Sequence, residues 1–300
     1  MPQTKTNFLS IVKKPTIRNL QLLAKAVVKS YKHGHQHSKM LGEGMEFSQY
    51  RSYQAGDDLR LLDWKLAARS QRFYVKQSET TKNMRVRFVL DASNSMNYAE
   101  NEVSKFSYAR FLIAILAYLA HQQGDEISVS AYDGEGLSEV VLKNRQQHLE
   151  KLFHFLEKIV AKGSWKNDEK VKHLFSQKTR KKELIIFLSD CYEKENEIFE
   201  TLRQFQQQRH EVIVFHLVGK KEQTLDFEGI QVFEDLETKK RMAIHTKKAR
   251  KQYVENLKNR EVELKKSLQE RQIFYQKADI SQPFDVLLQS FIKRRNRLMY

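Results

Sequence analysis

The sequence predicts an α/β protein with a doubly wound, mostly parallel sheet, an N-terminal extension and C-terminal helices. From residue 84 onward, short β-branched apolar runs alternate with longer segments of helical period, as strands joined by crossover helices do. Residues 184–188 are apolar at every position, as a central strand buried on both faces requires. The run from Val86 to Leu90 stops abruptly at Asp91, and strand tips are where ligands bind in such sheets.

The elements follow in order. Ile17, Leu20, Leu23, Val27, Val28 and Tyr31 form a helical stripe. A loop rich in His and Gly spans 33–44, and Leu61, Leu62 and Leu66 predict a short helix over 58–69. Residues 73–79 and 84–90 read as strands separated by a turn at 80–83, forming a hairpin. A largely buried helix is predicted over 103–123, then an alternating strand at 126–132. The Asp133-Gly134 turn leads to an antiparallel edge strand at 137–142. A helix at 147–160, the strand at 184–188, a helix at 196–208 and a buried strand at 212–218 continue the alternation. A short strand at 230–233, a long helix at 245–271, a strand at 273–280 and a helix at 283–295 complete it. With three prolines and ten glycines the chain shows no flexible interdomain linker. The expected division is an extension over 1–83, the α/β domain over 84–238, and elements over 239–300 packed on that same domain.

Charge is concentrated at the flanks. Residues 1–40 hold eight Lys/Arg and no acid, and residues 239–272 hold twelve Lys/Arg against four Glu. These segments carry the whole net charge of +16. Such flanks suit nucleic acid or an anionic surface, or are solvated helix faces. Aromatic interleaving is sparse there, which disfavours a base-stacking platform. Cys191 is the single cysteine, so no internal disulfide or cysteine zinc set exists, in keeping with a reducing compartment. Its expected role is that of a small packing residue. The longest apolar run, 111–120, is shorter than the roughly 18–20 residues of a membrane helix. The N-terminal segment lacks the design of a signal peptide. A cytoplasmic bacterial protein is expected.

Asp91, Ser93 and Ser95 place a carboxylate and two hydroxyls after a strand. Hard oxygens of this kind suit Mg²⁺. The rival reading is a helix cap by Asp91 or one of the serines. The pattern D-x-S-x-S resembles the metal-ion-dependent adhesion site of von Willebrand factor A domains. Upstream lie Gly42-Glu43-Gly44-Met45-Glu46-Phe47, then Arg51-Ser52-Tyr53-Gln54-Ala55-Gly56-Asp57-Asp58-Leu59-Arg60, Asp63-Trp64 and Ala67-Ala68-Arg69. This block is similar to the bacterial family called domain of unknown function 58. The resemblance implies a von Willebrand factor A-like fold and a companion, the MoxR-type AAA+ ATPase. It also implies further ligands. Asp190, after the strand at 184–188, matches the later aspartate of the adhesion site, and Ser164 the hydroxyl of its middle loop, where a threonine is usual. Asp91, Ser93, Ser95, Ser164 and Asp190 would then hold Mg²⁺ or Mn²⁺ and leave one position for a partner's carboxylate.

The implied role is a non-catalytic adaptor that grips the ATPase or a client protein through an acidic residue. The contrasting role is a nucleic-acid or anionic-surface binder using the basic flanks. Catalysis is not expected: Ser93 stands where phosphotransfer aspartates carry a second aspartate, and neither a phosphate-cradling G-x-x-x-x-G-K-[ST] loop nor a G-x-S-x-G elbow occurs. His33, His35 and His37 alternate and could share a metal, though a polar loop is the favoured reading. In the Arg51–Arg69 block, Asp57, Asp58 and Asp63 are expected to pair with Arg51, Arg60 and Arg69, with Trp64 buried, in preference to a docking surface.

Overall fold

The computed structural model describes residues 11–13, 15–34, 46–54, 62–70, 72–79, 84–142, 146–165, 182–192, 197–207 and 210–299. The chain divides into two units. One comprises residues 1–31 and 84–300, the other residues 32–83.

The larger unit is a doubly wound α/β fold. Helix α1 is Ile17–Gly34. In the smaller unit, β1 (Glu46–Ser52) pairs antiparallel with β2 (Tyr74–Glu79), and α2 is Trp64–Ser70. The expected hairpin between 73–79 and 84–90 is therefore not formed. Strand β3 (Arg85–Asp91) instead lies inside the main sheet, because Phe88, Val89 and Leu90 are fully buried and a strand covered on both faces needs two neighbours. The chain then makes a 3₁₀ turn at Asn94–Asn97 and a small hairpin of β4 (Ala99–Glu100) and β5 (Val103–Ser104). Asn101 and Glu102 both adopt positive φ in its two-residue turn, the geometry that matches strand twist. Helix α3 is Lys105–Gln122; β6 is Glu126–Tyr132, β7 Leu137–Leu142, α4 Gln146–Lys158 and β8 Leu184–Ser189. Helix α5 (Glu197–Gln207), β9 (Glu211–Val218), α6 (Lys220–Thr224), β10 (Ile230–Glu234), β11 (Arg241–His245), α7 (Thr246–Glu270), β12 (Phe274–Asp279) and α8 (Phe284–Met299) follow.

The sheet order is β12-β9-β8-β3-β6-β7, parallel except for the edge strand β7. Alternate side chains feed two cores. Phe88, Leu90, Ile186, Leu188 and Phe215 join α1, α3, α4 and α8 on one face. Val89, Ile185, Phe187 and Val214 join α5 and α7 on the other. Helix α1 has no acid in its first turn; the Ile17 N–H donates to Glu157 Oε1 of α4 at 3.1 Å, so a distant carboxylate supplies the missing cap. The strand at 230–234 does not extend the sheet. It pairs with β11 in a separate hairpin, with Ile230 70% and Val232 65% exposed.

Within the smaller unit, Asp63 Oδ1 accepts from the N–H groups of Lys65 and Leu66, both at 3.1 Å, and so caps α2. Trp64 is not buried as expected but 61% exposed. Helix α2 buries none of its residues, so it has no apolar face to carry the indole inward. Asp57, Asp58, Arg60, His35 and His37 lie outside the described residues, as do the side chains of His33 and Arg51.

Candidate metal centre

The chain leaves β3 for β6 on one side and returns to β8 on the other. The C-terminal ends of β3 and β8 thus flank the topological switch point, the crevice where open α/β sheets take ligands. Asp91 is the last residue of β3, and Asp190 follows the last residue of β8. Leu90 and Leu188 are direct neighbours in the ladder, which brings the two tips level.

Four of the expected residues are joined in one chain of hydrogen bonds. Asp91 Oδ1 accepts the Ser93 N–H at 2.9 Å, folding the loop back over the strand end. Ser93 Oγ and Ser95 Oγ are 2.9 Å apart, and Ser95 Oγ donates to Asp190 Oδ1 at 3.4 Å. Asp91, Ser93 and Asp190 are buried. None of these residues caps the long helix: Ser104 is the N-cap of α3, its side chain accepting the Ser107 N–H, and Ser93, at the N-cap of the 3₁₀ turn, makes no side-chain cap bond.

The fifth residue, Ser164, sits in a loop tied to the same place. Lys162 N donates to Ala92 O at 2.8 Å, Asn94 N to Gly163 O at 2.9 Å, and Asn97 Nδ2 to Ala161 O at 3.1 Å. The Asp133-Gly134 corner locks that loop from behind: a Cβ on Gly163, at φ +67°, would stand 2.2 Å from Asp133 O. Among the described residues no hydrogen bond joins the Ser164 hydroxyl to that chain of hydrogen bonds.

The structure adds residues that the sequence reading missed. Ser189 Oγ donates to Asp91 Oδ2 at 2.6 Å and accepts the Cys191 N–H at 2.9 Å. Cys191 takes positive φ, so the chain turns sharply after Asp190, and the Tyr192 N–H donates to Asp190 Oδ1 at 3.2 Å. Lys105, only 2% exposed, donates to Asp190 Oδ2 at 3.1 Å and to Glu222 Oε1 at 2.8 Å. A signal for Lys105 was present: it is the first residue of a buried helix, where the macrodipole disfavours a cation, so a carboxylate must stand opposite. Glu100 Oε1 accepts the N–H groups of Lys221 and Glu222 at 2.8 and 3.2 Å, anchoring α6 beside the lysine.

The electrostatics follow from burial. Desolvation first, and the Asp190 charge second, push the Asp91 carboxyl up to about 6 against the hydrogen bonds of Ser189 and Ser93. Burial alone would lower the Lys105 ammonium, but the charges of Asp190 and Glu222 outweigh it and hold the group above its ordinary value. The donor set fits a hard divalent cation. It consists of carboxylate and hydroxyl oxygens, and the buried repulsion between Asp91 and Asp190 is what such a cation would relieve.

Residues 49–263 match the family described as "Protein of unknown function DUF58". The chain belongs to this family. Curated relatives of this DUF58 protein include uncharacterized proteins of Mycobacterium tuberculosis and Mycobacterium bovis, each 26% identical over 132 residues, 44% of this chain and 42% of the relative. The chain thus spans less than half the length of the curated relatives it matches. Among solved structures, a conserved hypothetical protein BatB from Bacteroides thetaiotaomicron aligns with TM-score 0.44 at 14% identity, over 70% of this chain and all of the other. An aerotolerance-related membrane protein from Bacteroides fragilis aligns with TM-score 0.43 at 16% identity, over 71% of this chain and all of the other. Among the described residues, no helix is long and apolar enough to cross a membrane.

Proposed function

We propose that this DUF58 protein is a non-catalytic, Mg²⁺-dependent protein-interaction module of von Willebrand factor A type. One observation carries the reading: Asp91, Ser93, Ser95 and Asp190 are linked by hydrogen bonds at the switch point of the sheet. These four residues, with Ser164 from the adjoining loop, would hold the ion. Bound Mg²⁺ or Mn²⁺ would supply a Lewis-acidic position for a partner's carboxylate oxygen. The protein's own groups orient that position: Ser189 and the Ser93 N–H fix the Asp91 carboxylate, and the Tyr192 N–H fixes Asp190. The partner in this reading is a MoxR-type AAA+ ATPase or its client, in protein assembly or activation, and the setting is the cytoplasm. The non-catalytic role rests on Ser93 standing in place of a second aspartate.

The test is a binding assay with a purified MoxR-type ATPase. EDTA and Asp190→Ala should each release the partner, and Mg²⁺ should restore wild-type binding. Binding that survives both treatments would move the interface elsewhere. Metal-dependent hydrolysis of ATP or a phosphate ester by the purified protein, absent in Asp91→Ala, would make it an enzyme.

A second reading has its own observation. Helix α7 exposes Lys247, Lys248, Lys251, Lys258 and Lys266, a cationic surface for nucleic acid or anionic lipid. Binding of either that falls steeply with salt, and is untouched by EDTA, would favour it.

A further inference from the structure

A cation of the protein itself stands against one of the proposed metal ligands. Lys105 Nζ holds Asp190 Oδ2 at 3.1 Å, with the side chains of both residues only 3% exposed. It has a second carboxylate, Glu222, at 2.8 Å, and lies 5.1 Å from the centre of the Tyr98 ring. Glu222 is itself fixed: its Oε2 accepts the Gly219 N–H at 3.1 Å, and its own N–H is held by Glu100. Lys105, Asp190 and Glu222 all line one cleft of about 900 Å³. A buried ammonium with one carboxylate could not leave it without stranding a charge, at a cost of several kcal/mol. With two carboxylates and an aromatic face, it can.

We propose that Lys105 is an internal counter-cation competing with the divalent ion for Asp190, and that Glu222 is the carboxylate to which it withdraws when the ion enters. The inference rests on the metal-binding reading. In it Lys105 is a positioning residue that couples occupancy of the oxygen site to the Glu222–Glu100 cap of α6. Two opposite effects follow. Removing the lysine leaves Asp190 free for the ion and tightens binding. Removing the carboxylate of Glu222 confines Lys105 to Asp190 and weakens binding.

The experiment is Mg²⁺ titration calorimetry on the full chain as wild type, Lys105→Met, Glu222→Gln and the double variant, each shown to be folded by its melting curve. Lys105→Gln, which retains a donor for both carboxylates, replaces Lys105→Met if that variant does not fold. Lys105→Met should bind Mg²⁺ about tenfold or more tightly, and Glu222→Gln about tenfold or more weakly, since either change alters a close buried charge contact. In the double variant the Glu222→Gln effect should vanish, because no lysine remains to be confined. Strictly additive effects would reduce both residues to background electrostatics and overturn the proposal. So would unchanged or reversed affinities in the single variants while the wild type binds. Absence of binding in all four proteins would defeat the metal reading itself, whereas binding confined to the two variants that lack Lys105 would uphold both.

Discussion

Ser189 Oγ donates to Asp91 Oδ2 at 2.6 Å, joining the tips of two adjacent parallel strands through side chains after their backbone ladder has ended. The same hydroxyl accepts the Cys191 N–H, so one buried atom orients the carboxylate and shapes the turn that delivers Asp190. Ser189→Ala removes two buried hydrogen bonds, one to the Asp91 carboxylate and one from the Cys191 N–H, and should cost about 1–3 kcal/mol of stability. A lowered urea midpoint at unchanged slope would show it; an unchanged midpoint would mean that the bond contributes nothing.

A pH dependence follows from Asp91. Its folded carboxyl, pushed up to about 6 from an ordinary 3.8, keeps its proton where the unfolded chain has lost it. The contribution of this group to stability is therefore greatest below about pH 4 and falls as pH rises to about 6, by on the order of 3 kcal/mol. In the proposed metal site Mg²⁺ would take the ionised form, so its affinity should climb through that range and level off above it. Melting curves at pH 4–8 with and without Mg²⁺ check this, with Asp91→Asn as the control lacking the titration. Metal affinity that is flat across the range would contradict it.

In the smaller unit, the cap and the aromatic separate cleanly. Asp63→Ala removes the acceptor for two N–H groups of α2 and should cost about 1 kcal/mol. Trp64→Ala, at a 61% exposed position, should change stability by less than about 0.5 kcal/mol. Chemical denaturation of both variants decides it. A large loss on Trp64→Ala would restore the buried reading of the indole.

Gly163 holds the Ser164 loop against the Asp133-Gly134 corner at positive φ, with no room for a Cβ. Gly163→Ala should strain the backbone by about 1–3 kcal/mol and weaken Mg²⁺ binding as the loop moves off the site. Calorimetry reads the second effect, and undiminished affinity would remove Ser164 from the ligand set.

The parts legible in the sequence are those where burial writes itself into residue type. Apolar continuity marked β8, alternation marked β6, the Asp133-Gly134 turn marked β7, and the run ending at Asp91 marked the candidate site. Strand β1, Glu-Phe-Ser-Gln-Tyr-Arg-Ser, carries no such pattern, so the sequence offers β2 only its neighbour β3 as a partner. The inward reading of Trp64 goes with the charged network around it, and α2 has no buried face to support it. Lys105 and Glu222 are 117 residues apart, and only the tertiary fold brings them together. What Lys105 did offer was a local misfit, a cation at a helix N-terminus, which pointed to a carboxylate without saying which.

The most direct measurement is a Mg²⁺ titration of the wild type beside Asp91→Ala, followed by calorimetry near pH 7.5, where the Asp91 carboxyl is ionised. The account predicts saturable binding at one site in the wild type, and none in a folded Asp91→Ala. Undiminished binding in Asp91→Ala, or no binding in the wild type and Lys105→Met alike, would contradict it.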